Sequence, residues 1–126
     1  MSRPAVSDAE LEVLKVLWDA GPSTVRDVAG TLRRQRRRLA YNTVLTLLSR
    51  LRDKGYVAAD RRGTAHLFQA IVSRDDLVGF SLAALADRVC EGAASPLMLA
   101  LVRGQKFSAG EIAHFRKLLD DLTPKD

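Results

Sequence analysis

The sequence predicts a mainly α chain with one small β-hairpin, in which three helices and the hairpin precede a second helical part. Three observations predict it. The stretches Ser7-Asp8-Ala9-Glu10, Thr24-Val25-Arg26-Asp27 and Ser108-Ala109-Gly110-Glu111 each stand before apolar residues spaced three or four apart, the pattern of capped amphipathic helices. After Gly55 the apolar period falls from 3.6 to about 2, the mark of short strands. From Ser73 onward the helical period returns.

The elements follow in order. Ser7 can accept from the Glu10 N–H while Glu10 reaches back, opening a helix with Leu11, Leu14, Leu17 and Trp18 on one face. Gly21-Pro22 closes it. Thr24 starts a second helix, with Val25, Val28, Ala29 and Leu32 inward, and Arg33, Arg34, Arg36, Arg37 and Arg38 follow it, five arginines in six positions. A third helix is expected over about 41–54, stopping at Gly55, a residue suited to the left-handed conformation after a helix. Residues 56–60 and 65–70 read as strands, and Arg61-Arg62-Gly63-Thr64 between them as the hairpin tip, with glycine at the strained position. Ser73 caps a fourth helix carrying Leu77, Val78, Leu82, Leu85 and Val89, ending near Gly92. Ser95-Pro96 starts a short helix over 97–103, apolar nearly all round. Ser108 caps the last, with Ile112, Phe115, Leu118, Leu119 and Leu122. Three helices and a basic-tipped hairpin are the order of a winged helix-turn-helix.

Composition narrows the function class. The 126 residues are 47% hydrophobic and 28% charged, with 8 Gly and 4 Pro, which folds rather than stays disordered. No apolar run approaches the roughly 20 residues of a membrane span. The opening MSRPAVSDAE lacks the apolar core of a secretory signal, so a cytoplasmic chain with no membrane insertion is expected. Cys90 is the only cysteine, which leaves no disulfide framework and no all-cysteine metal site. The net charge of +5 is uneven: residues 1–72 hold 13 Lys and Arg against 7 Asp and Glu, and residues 73–126 hold 7 against 8. A basic module joined to a near-neutral one fits a polyanion-binding part and a part with another task. The expected domains are 1–72, binding DNA, and 73–126, a helical dimerisation domain. So short a piece cannot easily bury its own apolar faces. A two-fold homodimer is therefore expected to cover Leu77, Leu82, Leu85, Val89, Leu97, Leu101, Ile112, Phe115 and Leu119. Folding back onto residues 1–72 is the rival arrangement.

The third helix carries the most chemistry. At 100° per residue, Val44, Leu47, Leu48 and Leu51 form one stripe that must face a core. Asn42, Thr46, Ser49 and Arg50 lie opposite, with Tyr41 and Thr43 at the flanks. A recognition helix puts its N-terminal residues against base edges in the major groove. Asn42 can pair bidentately with adenine, and Thr43 and Thr46 can meet base edges, phosphates or a thymine methyl. Arg50 would reach a phosphate, the arginine run would lie along the sugar-phosphate backbone, and Arg61 and Arg62 would carry the wing to neighbouring phosphates. Such contacts set register and affinity without reading sequence. No paired carboxylates, metalloprotease motif, Gly-rich phosphate loop or nucleophile elbow is present, so no enzyme, no metal and no other cofactor is expected. Cys90 reads as a core or interface thiol, and His66 and His114 lie far apart in sequence. Two rival readings are a winged-helix protein-interaction module and a regulator controlled by a small molecule bound between its domains.

With Ser7-Asp8-Ala9-Glu10-Leu11-Glu12-Val13-Leu14, Leu17-Trp18 and the string Asn42-Thr43-Val44-Leu45-Thr46-Leu47-Leu48-Ser49-Arg50-Leu51-Arg52-Asp53-Lys54-Gly55, the chain resembles the penicillinase repressor (BlaI/MecI-like) family over nearly its whole length. The resemblance implies a bacterial homodimeric repressor on a palindromic double-stranded DNA operator. It implies an N-terminal winged-helix domain and a C-terminal three-helix dimerisation domain. It also implies a membrane sensor-protease system, triggered by a β-lactam, that leads to cleavage at an Asn-Phe pair in the short apolar helix. The matching positions here are Ala100 and Leu101, a departure from that pair. The family's copper-responsive branch uses C-terminal cysteine pairs, which a chain with Cys90 alone does not have. Leu39 stands where relatives often carry Trp.

Overall fold

The computed structural model describes residues 3–122, with Arg62 described by its backbone alone. The described elements are α1 (Asp8–Ala20), α2 (Val25–Arg34), α3 (Tyr41–Asp53), β1 (Val57–Arg62), β2 (Ala65–Ala70), α4 (Arg74–Val89), α5 (Ser95–Gly104) and α6 (Ala109–Asp121). This is the mainly α class with a hairpin wing that the sequence predicts. Ser7 with Glu10, Thr24 with Asp27 and Ser108 with Glu111 form reciprocal capping boxes, and Ser73 with Asp76 exchanges the same two hydrogen bonds. The chain divides into two compact units, Met1–Leu85 and Ala86–Asp126. The first extends into α4 because Leu77 and Phe80 pack, partly buried, against its core.

In the first unit α1, α2 and α3 enclose Val13, Leu14, Leu17, Val28, Leu32, Val44, Leu48 and Leu51, joined by Tyr56, Val57 and Phe68 from the hairpin side. Trp18 packs against this core while its indole N–H donates to the Val72 carbonyl at 2.8 Å. Ser23 and Phe68 exchange backbone hydrogen bonds of 2.9 and 2.8 Å, so the hairpin is pinned to the segment between α1 and α2.

The hairpin differs from expectation at both ends of its first strand. Tyr56 precedes the ladder and meets it only through its carbonyl, which accepts from the Ile71 N–H at 3.0 Å, because its own N–H donates to the Leu51 carbonyl and that of Gly55 to the Arg52 carbonyl. Those two bonds are the Schellman closure of α3, with Gly55 at φ +88°. At the other end β1 runs on through Arg62, pairing Arg61 with His66 and Arg62 with Ala65. The tip thus shrinks to Gly63-Thr64. A two-residue loop matches the twist of paired strands provided its first residue takes a positive φ, and Gly63 supplies it at +65°. The expected start of α5 at 97 also moves, to Ser95, with Pro96 in its first turn.

The close of α2 repeats the Schellman pattern without glycine. Arg36 N–H donates to Arg33 and Arg37 N–H to Leu32, while Arg36 sits at φ +63°. A left-handed non-glycine residue costs about 1–2 kcal/mol, part of which glycine returns through its looser unfolded chain. Arg36→Gly is therefore expected to stabilise the fold by about 0.5–1 kcal/mol and raise the melting temperature by a few degrees. An unchanged or lower melting temperature contradicts this.

One ionic contact straps residues 3–10 to the end of α3. Glu10 is buried, and its Oε1 accepts from the Ser7 N–H at 2.8 Å and from the Lys54 ammonium at 2.6 Å. Lys54 donates to the Ala5 carbonyl as well, Tyr56 to that of Pro4, and Arg3 to that of Gly55. Burial works against the charge of Glu10, but hydrogen bonds from Lys54 and Ser7 outweigh it and hold the carboxyl below its ordinary range.

In the second unit, Phe107 and Phe115 meet edge to face at 5.3 Å, yet no residue of α5 or α6 is buried.

Candidate nucleic-acid interface

α3 is held by its apolar stripe. Val44, Leu47, Leu48 and Leu51 are buried, and Asn42, Thr43, Thr46 and Arg50 are exposed on the remaining surface. Unlike α1, α2 and α6, it opens at Ala40 with no side-chain cap, so its first-turn N–H groups lack the acceptor that those three helices carry. The Thr46 hydroxyl donates back to the Asn42 carbonyl at 2.9 Å. Its donor is thus engaged within the helix, and its outward chemistry is an acceptor and a methyl group. Asn42 keeps its whole amide for an outside partner, since no hydrogen bond ties that side chain down among the described residues. Tyr41 is 53% exposed. It shares a flank of α3 with Leu45 and Arg52, and together they line a cleft of about 660 Å³ against Thr24, Val25 and Arg26 of α2 and Thr64, Ala65, His66 and Phe68 of the hairpin.

The five arginines from Arg33 to Arg38, the first two in the last turn of α2, are all exposed but not equivalent. Arg34 donates to the Thr31 hydroxyl, and Arg37 lies 3.7 Å from the Glu12 carboxylate. Arg33 and Arg38 line a concavity of about 510 Å³ with Leu39 and Ala40. Among the described residues Arg33, Arg36, Arg38 and Arg50 have no acidic partner, so their charge is open to solvent or to a polyanion. Arg61 is exposed on β1, and the side chain of Arg62 lies outside the described residues. The sequence reads residues 24–26 as a helix start and His66 as an isolated histidine, not as parts of a site with Arg52. Only Arg52 has a local signal, since positions 41, 45 and 52 fall together on a helical wheel.

The residues expected to pair copies are largely uncovered. Leu82, Leu85, Val89, Leu101, Ile112 and Leu119 are exposed, Val89 at 67%, and Leu77, Leu97 and Phe115 are half-buried. Within the first unit Leu11, Trp18, Leu77, Leu82 and Leu85 line a groove of about 400 Å³ between α1 and α4. Ala100 and Leu101 sit mid-way along α5, both exposed. Cys90 is partly exposed. Among the described residues no His, Cys, Asp and Glu cluster could hold a metal ion, and no helix is long and apolar enough to cross a membrane.

The family model for the penicillinase repressor matches residues 6–121. The chain belongs to that family. It is similar to the transcriptional regulator BlaI of Mycobacterium tuberculosis strain H37Rv, 35% identical over 119 residues that make up 93% of this chain and 84% of the relative. It is similar too to the penicillinase repressor of Bacillus licheniformis, 25% identical over 94% and 91% of the two chains. Among solved structures, the DNA binding domain of the repressor BlaI superposes with a TM-score of 0.52 at 30% identity, covering 60% of this chain and 93% of that one. That domain supports the winged-helix reading of the first unit. The family is one of transcriptional repressors rather than enzymes.

Proposed function

We propose that the chain is a homodimeric transcriptional repressor that binds a palindromic DNA operator, α3 entering the major groove and the hairpin wing lying over the flanking backbone. The observation that carries this reading is the split of α3 into a buried apolar stripe and a polar face with an unengaged Asn42, next to an arginine run in which Arg33, Arg36 and Arg38 have no acidic partner among the described residues. Membership of a repressor family and the likeness to a DNA-binding domain support it. Each copy would occupy one half-site, with half-sites about one helical turn, roughly 34–36 Å, or a multiple of it apart. Residues 73–126 would pair the copies, since many of their described apolar side chains, Leu82, Leu85, Val89, Leu101 and Ile112 among them, are exposed.

Relief of repression would act on that pairing, in a response system of the β-lactam type with a membrane sensor-protease. The peptide between Ala100 and Leu101 is hydrogen-bonded in mid-helix, so a protease would need α5 to open first. With no buried residue, α5 has little of its own packing to oppose opening.

Binding to a pool of randomised duplexes tests the assignment of α3. Asn42→Ala is expected to erase the preference for one base per half-site, at about 1–3 kcal/mol, while leaving affinity for mixed-sequence DNA nearly unchanged. An unaltered base preference would remove Asn42 from the reading face.

A further inference from the structure

With α3 in the major groove, the position of the flanking DNA strand is fixed. The strand that separates that groove from the minor groove beside the wing must run between helix and wing. The cleft of about 660 Å³ occupies that place, with Arg26 and Arg52 on its walls alongside Tyr41, Thr24, Thr64 and His66. We propose that this cleft seats the sugar-phosphate backbone of one DNA strand, and that Arg26 and Arg52 are its phosphate-contacting residues.

Three features favour a polyanionic strand as occupant. Both arginines line a cleft that has no acidic residue in its lining. Arg52 has one acidic neighbour, Asp53 at 3.8 Å, and both side chains are largely solvated; exposed pairs of this kind are weak and readily exchanged for a phosphate. Arg26 has no ion pair among the described residues. It also stands in the first turn of α2, next to Thr24 as N-cap, where the helix dipole disfavours a cation. A residue that opposes local stability and has no partner within the fold is expected to have one outside it. Tyr41, on the same wall, then meets sugar and phosphate and leaves base reading to Asn42.

The inference rests on the DNA-binding reading, and the experiment separates the two. Fluorescence anisotropy on the full chain would use a mixed-sequence duplex of about 30 base pairs across roughly 50–200 mM salt. Each of Arg26→Gln and Arg52→Gln removes about two phosphate contacts per dimer, so the slope of log K against log[salt] is expected to become shallower by about 2, and by about 4 in the double variant. Arg52→Lys, which keeps the charge, is expected to restore the slope and so to separate lost charge from damaged fold. Wild-type binding with slopes unchanged in the Gln variants would overturn the cleft assignment and leave the DNA-binding reading standing. Failure of the wild type to bind any duplex at low salt would remove both.

Discussion

Leu119→Glu is expected to turn a dimer into a folded monomer and to lower operator affinity by about 10²–10⁴-fold. Leu119 is 51% exposed on α6, and no residue of that helix is buried, so a carboxylate there disturbs little within one copy. Across an apolar interface the same carboxylate would be desolvated, which opposes association. The affinity loss follows because the second half-site is reached by a linked partner in the dimer and must be found from solution by a monomer. Sedimentation equilibrium and half-operator binding check the two parts. The half-operator should be bound as tightly by the variant as by the wild type. A variant that stays dimeric, or a wild type that is monomeric with full operator affinity, would contradict the assignment of residues 73–126.

The largest stability effect is expected at the strap between α1 and α3. Lys54→Met leaves the Glu10 carboxylate buried with only Ser7 and an unpartnered Oε2. Removing one member of a buried pair costs about 3–5 kcal/mol, and because Lys54 is itself partly solvated about 3 kcal/mol is expected. The effect depends on pH in a stated direction. The carboxyl of Glu10 is held below its ordinary range in the folded chain, so the pair contributes fully above that range and its contribution is lost as pH falls through the folded value. Urea unfolding of wild type and variant should therefore give curves that differ most near neutrality and converge toward acid. A gap independent of pH would mean that Lys54 acts through packing or through the Ala5 carbonyl instead.

Much of this architecture can be read from local chemistry. The reciprocal caps at Ser7, Thr24 and Ser108 lie within four residues of sequence, so spacing alone reveals them. The buried stripe of α3 is equally legible, because Val44, Leu47, Leu48 and Leu51 satisfy one helical period. What escaped depends on contacts distant in sequence. Tyr56 reads as strand by its side chain, but its N–H is taken by Leu51 to close α3. Arg61 and Arg62 read as loop by polarity, yet strand pairing carries them to a Gly63-Thr64 tip. The partnership of Glu10 with Lys54 spans 44 positions, and no motif announces it. The cleft brings together α2, α3 and the hairpin, so nothing local to Arg26 or Arg52 announces that the two share it.

A repressor of this kind must bind DNA sequence-specifically through its basic first unit. Fluorescence anisotropy on a duplex from upstream of the protein's own coding sequence, against a shuffled duplex of equal composition, tests it directly. With about five phosphates neutralised per subunit, tight binding to the native duplex alone is expected, with a slope of log K against log[salt] near −9. Equal affinity for both duplexes would reduce the protein to a basic coat on DNA, and no binding to either at low salt would contradict the repressor reading altogether.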